Sequence, residues 1–240
     1  MTATFDRSEI QRRRVEQLLG ECMARHEIDL WLVYTRESSN DPLAGDIGLG
    51  RAVARAAGLF HQVNGKLTKK ALVASYDTTP VEESGIFDEV IDFKKEGISP
   101  HLAREIERID PRRVALNYSR DVAVADGLSY GMRQHLEEIL GADFMAKTTS
   151  SEPLVVGYRC RKLPEELEAM RRGVLLTQEI LDKALTSEVI RPGRTREIDL
   201  AKFMEAAVRE GGGEPAFTMV MVGPCRGHAD ASERIIEPGD

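Results

Sequence analysis

Apolar residues recur at Val15, Leu18, Leu19, Cys22 and Met23 within the stretch from Arg7 to His26, a helical spacing that buries one face. The run Ile28-Asp29-Leu30-Trp31-Leu32-Val33-Tyr34 is short and rich in β-formers and predicts a buried strand. Ser38 to Pro42 reads as a loop and Ala52 to Leu59 as a short helix. Ala71 to Ser75 and Glu89 to Phe93 predict two further strands. Ser99-Pro100 reads as an N-cap followed by proline in the first turn, and the helix it starts places Leu102, Ile106 and Ile109 on one side. Val114 to Asn117 is a further strand, and Leu128, Met132, Leu136 and Ile139 mark a helix closed by Gly141. Strands alternating with helices argue an α/β layer structure.

Around Thr148 to Pro153 the pattern lapses into small polar residues, which places a domain boundary nearby, with a first domain over 1–156 and a second over 157–240. Pro164-Glu165-Glu166 puts proline and two acids into the first turn of a helix, which suits the helix dipole. That helix runs to about Leu185 and is expected to bury Leu167, Met170, Val174, Ile180 and Leu181. Pro192-Gly193 makes a turn, Thr195 reads as a cap, and a second helix from Glu197 to Glu210 ends at Gly211-Gly212-Gly213. Phe217 to Val222 predicts a strand with Met219 and Met221 in the core, followed by the loop Gly223-Pro224-Cys225-Arg226-Gly227-His228. Pro238-Gly239-Asp240 reads as a turn that introduces another strand, and here nothing follows it.

The hydrophobic share of 42% is enough for a core, and a net charge of −7 disfavours phosphate backbones as partners. The basic runs Arg12-Arg13-Arg14 and Arg171-Arg172 sit in Glu-rich helical stretches and read as solvated faces. Met1 to Phe5 lead directly into a charged helix without an apolar leader, and no run is long enough to span a bilayer. Cys22, Cys160 and Cys225 show no pairing pattern. Together these features point to a reduced, cytoplasmic protein without nucleic-acid or membrane partners.

His228 is the leading candidate for chemistry, because a glycine-flanked loop after a strand is where functional side chains are presented. Asp230 and Glu233 lie close to it in sequence, but the spacing matches no metal-ligand motif, and Cys225-x-x-His228 lacks the second pair that a structural zinc needs. Gly48-Leu49-Gly50 lacks the third glycine and the preceding strand of a dinucleotide fingerprint. No Gly-x-Ser-x-Gly elbow is present.

Arg161-Lys162-Leu163-Pro164-Glu165-Glu166-Leu167-Glu168-Ala169-Met170-Arg171 resembles the opening of the catalytic domain in the pita-bread metallopeptidases, the aminopeptidase P, prolidase and creatinase group. The resemblance continues through Ile190 to Thr195, loosely through Gly211 to Pro215, and again at Phe217 to Gly223, His228 and Gly239-Asp240. Upstream, the element order resembles the smaller N-terminal domain that these proteins carry. The implied fold is an N-terminal creatinase-like α/β domain followed by an incomplete α+β pita-bread catalytic domain.

The resemblance implies a peptidase that cleaves the bond after the first residue, often Xaa-Pro, with two divalent ions (Mn, Co or Zn) that activate a bridging hydroxide. It gives His228 a substrate-facing role that stabilises charge in the transition state. Asp240 matches the Asp that precedes the first ligand strand and is not itself a ligand, so all five metal ligands would lie outside this chain. The chain is therefore expected to hold no metal, to be inactive by itself, and to leave apolar faces of its second domain exposed. A peptide substrate and a homodimer are the expected partners. Two other readings keep the fold: a creatinase-like hydrolase that cleaves a C–N bond without metal, with His228 as acid–base group, or a non-catalytic peptide-binding or dimerisation module.

Overall fold

The computed structural model describes residues 6–240, so the reading of Met1 to Phe5 lies outside the described residues. The chain forms two compact units, one ending at Leu163 and the other beginning at Pro164.

The first unit is built on strands β1 (Leu30–Thr35), β2 (Ala56–Val63), β3 (Lys66–Ala74), β4 (Glu89–Phe93), β5 (Val114–Leu116) and β6 (Thr148–Ser150). They form one sheet in the order β4-β3-β2-β1-β5-β6. Only β2 runs against its neighbours; β3–β4, β1–β5 and β5–β6 are parallel pairs. All six residues of β1 are buried, which is why its sequence is a continuous apolar run and not an alternation.

Helices cover both faces. Trp31, Val33, Phe60 and Val73 meet residues from α1 (Arg7–Arg14), α2 (Gly20–Arg25) and α6 (Glu152–Cys160) on one side. Leu32, Tyr34, Leu59 and Leu72 meet α4 (Ser99–Ile109) and α5 (Tyr130–Ala146) on the other. The expected first helix is therefore present, with a π-helical stretch at Val15–Leu19 joining α1 to α2. A short helix α3 (Thr78–Glu83) follows β3. Among the described residues no helix is long and apolar enough to cross a membrane.

Several local expectations fail for identifiable reasons. Ala52 to Leu59 is not a helix; its second half is the start of β2. Alanine and glycine favour no strand by themselves, and β2 exists because β1 and β3 hydrogen-bond to it on either side. Gly58 is small for a packing reason, since a Cβ there would lie 3.1 Å from a Leu49 methyl carbon. The β2–β3 hairpin turns at Asn64-Gly65, both at positive φ (51° and 78°), as a two-residue turn of this type requires. Ser99 does not cap α4; the flanking residue is Ile98, and no side chain caps the helix. The lapse at Thr148 to Pro153 is edge strand β6 and the first turn of α6. Arg14 is not merely solvated. Its guanidinium donates to the carbonyls of Tyr158 (2.6 Å) and Arg161 (2.9 Å) at the C-terminal end of α6.

The second unit holds α7 (Pro164–Ala184) and α8 (Glu197–Glu210), matching the two expected helices. Its core is small: Ala184, Leu200, Ala201, Val220 and Ile236. Of the residues expected to be buried on α7, Ile180 is, whereas Leu167, Met170, Val174 and Leu181 are exposed. Thr195 does not cap α8. Its hydroxyl bridges the Arg191 N–H and the Val189 carbonyl, and Arg196 is the cap, its backbone N–H donating to Asp199 at 3.1 Å. The segment Phe217 to Val222 forms no strand, because among the described residues no second segment forms a ladder with it. Its alternation survives with the opposite phase: Val220 and Val222 face the small core and Met219 is exposed.

Candidate functional site

The His228 loop is organised by a residue that sequence reasoning passed over. Glu197 is the first residue of α8 and is completely buried. Its Oε1 accepts the Val222 N–H at 2.8 Å. Its Oε2 accepts the Ser232 N–H at 2.9 Å and the Ser232 hydroxyl at 2.6 Å, and also pairs with the Arg226 guanidinium. Burial pushes the carboxyl pKa up, but the Ser232 hydroxyl, the two backbone N–H groups and Arg226 outweigh it and bring it down to about 2. One anchored carboxylate thus ties both ends of the segment 222–232 to the start of α8. The only trace of this in the sequence is an acid in the first turn of a helix, a common and unspecific feature.

His228 stands on this tethered loop, exposed, one residue after Gly227 at φ 67°. Its ring lies against Phe217, with centroids 6.2 Å apart and planes tilted by 40°. Gly223 also has positive φ, and a Cβ there would run into the Arg234 guanidinium. The loop is thus set by a carboxylate anchor, two turns that need glycine, and an aromatic ring under the imidazole.

The neighbouring candidates do not join it. Glu233 pairs with Arg196, which also clamps Asp199 through Nε at 2.8 Å and Nη2 at 2.6 Å and holds the Asp199 carboxyl down at about 2. Asp230 offers its backbone carbonyl to Arg226 at 3.4 Å. Cys225 and Cys160 are exposed free thiols and Cys22 is buried. Asp240 closes the terminal turn by accepting the Glu237 N–H at 2.8 Å. Among the described residues no three His, Cys, Asp or Glu side chains converge to hold a metal ion, so the residues present do not fit a paired-metal site.

No family model and no curated protein matches the sequence. Solved structures do match. An Xaa-Pro dipeptidase from Bacillus anthracis is 18% identical with a TM-score of 0.59, covering 97% of this chain and 58% of that one. The dipeptidase PepE from Mycobacterium ulcerans is 15% identical with a TM-score of 0.65, covering 99% of this chain and 60% of that one. The prolidase from Pyrococcus horikoshii OT3 is 17% identical with a TM-score of 0.59, covering 95% and 58%. The fold is that of the prolidase structures. This chain spans about three fifths of their length.

Proposed function

We propose that this chain is the N-terminal portion of a hydrolase that cleaves N-terminal peptide bonds, of the Xaa-Pro dipeptidase and aminopeptidase kind, with His228 facing the substrate. The observation that supports it is the extent of the likeness. It runs over 97% of this chain and so extends beyond the α/β unit, which ends at Leu163. A donor held on an anchored loop stabilises charge as it develops on a carbonyl oxygen, because it needs no reorganisation during reaction. Reaction at a paired-metal centre would draw on residues other than those described here.

The test uses two proteins, the 240 residues by themselves and the complete reading frame that contains them. The 240-residue chain is expected to show no stoichiometric binding of Mn, Co or Zn by calorimetry and no cleavage of an Xaa-Pro dipeptide or of a longer peptide beginning Xaa-Pro. The complete frame is expected to cleave one of them, with His228→Ala lowering kcat by about 10²-fold and leaving KM nearly unchanged. Full activity in the short chain, or an unchanged rate in His228→Ala, overturns the reading.

A further inference from the structure

We propose that the first unit carries a binding site for a small organic phosphate, separate from the His228 loop. Beside the C-terminal ends of β3 and β4 lies an open cavity of about 520 Å3. Arg55, which precedes β2, and Lys94 and Lys95, which follow β4, line it. Among the described residues none of the three has an ion-pair partner, and no Asp or Glu lines the cavity. Three cations outside any ion pair on one small surface stand out in a protein of net charge −7. Two carboxylates stand at the cavity's rim without pairing with these cations: Asp92 accepts the Ser75 hydroxyl at 2.6 Å, and Glu96 accepts the Lys94 backbone N–H at 3.2 Å and pairs with His101 at 3.1 Å.

The start of α4 adds to this. Ser99, its first residue, lines the cavity, and no side chain caps the helix. The first-turn N–H groups of Ser99 and His101 (Pro100 has none) and the positive end of the helix dipole favour an anion of high charge density. The remaining wall is largely apolar and includes Phe93 and Ile98. Cations with a helix start would hold a phosphate dianion, and the apolar wall would take a compact hydrocarbon or ring attached to it. A monovalent carboxylate would use fewer of these donors.

The probe is phenyl phosphate, titrated into the 240-residue chain and followed by amide chemical shifts. Saturable shifts are expected over 74–76 and 94–99, weaker ones with inorganic phosphate, and none there with phenol. Arg55→Ala combined with Lys95→Ala should weaken binding by about tenfold or more. Ser99→Asp supplies a second test. An acid in the first turn suits the helix, so the fold is kept while the anion is repelled. An unchanged Trp31 fluorescence spectrum shows that the unit is folded in each variant. The proposal is overturned by an absence of saturable shifts, by equal binding to the variants, or by benzoate binding as tightly as phenyl phosphate.

Discussion

Glu197 accepts two hydrogen bonds from Ser232, one from its backbone N–H at 2.9 Å and one from its hydroxyl at 2.6 Å, across 35 residues of chain. The pair fixes the segment that carries His228. Replacing the carboxylate by a methyl group would strand the Val222 and Ser232 N–H groups and the Arg226 charge that it satisfies. Glu197→Ala should therefore destabilise the second unit by about 3 kcal/mol. Hydrogen exchange reads this directly, because protection of the Val222 and Ser232 amides should fall together. Unchanged exchange at both amides would refute the anchoring role.

The same carboxylate sets a pH dependence. Its pKa lies at about 2 in the folded state against an ordinary value of 4.5. A depressed acid stabilises the fold above its unfolded pKa, and that contribution is lost as pH falls through the interval down to the folded value. Protection in the second unit should thus be level above about pH 5 and should decline between about pH 4.5 and pH 2. In Glu197→Gln the acid-side decline should shrink. Asp199, also held at about 2 by Arg196, is more exposed and adds less. A decline of equal size in wild type and Glu197→Gln would assign it to other groups.

Trp31 and Asn117 form a corresponding hub in the first unit. Trp31 Nε1 donates to Asn117 Oδ1 at 2.7 Å, Ser151 Oγ donates to the same oxygen at 2.6 Å, and Asn117 Nδ2 donates to Asp41 at 2.8 Å. All four residues are buried. Asn117→Ala removes three hydrogen bonds at once and deprives an indole N–H, a hydroxyl and one carboxylate oxygen, Asp41 Oδ2, of their partner. It should cost about 2–4 kcal/mol. Trp31 is the one tryptophan in the chain, so its fluorescence during urea unfolding isolates this unit. A midpoint within error of wild type would show that water replaces the amide.

The α/β architecture was legible because β1, β4, β5 and the helices α2, α4 and α5 carry their burial in their own apolar spacing. What was not legible depended on partners distant in the chain. β2 starts Ala56-Ala57-Gly58 and becomes a strand only between two others. Asn117 reads as the end of a strand, and nothing local marks it as the acceptor for Trp31, 86 residues earlier. At the candidate site, the glycine-flanked loop singled out His228 as a candidate, whereas nothing singled out Glu197, because its partners lie 25 to 35 residues away. The Phe217 to Val222 segment shows the converse failure. Alternation gives a strand only where a neighbour supplies a ladder.

Gly141 lies within α5 with φ 79° and ψ 167°, a combination open essentially to glycine alone. Helix propensity would favour alanine by about 1 kcal/mol. The observed backbone reverses that sign, and Gly141→Ala should destabilise the first unit by about 1–3 kcal/mol. An added Cβ would meet nothing within 4 Å, so the effect would be conformational and not steric. A urea midpoint that rises in Gly141→Ala would show that α5 can straighten through this residue.

The apolar face of α7 gives two substitutions with opposite expectations. Val174 is 67% exposed and Ile180 8% exposed on the same helix. Leu167, Met170, Val174 and Leu181 follow helical spacing and are all exposed, a stripe that water covers poorly. Ile180→Ala should destabilise the second unit by about 2 kcal/mol or more, read as lost amide protection in α8. Val174→Glu should change that protection by no more than about 0.5 kcal/mol. Val174→Glu combined with Leu181→Glu should also lower any concentration-dependent association seen by sedimentation, because a charged stripe resists burial. If Val174→Glu unfolds the unit as Ile180→Ala does, the valine packs against something in solution and α7 is oriented differently from the arrangement described.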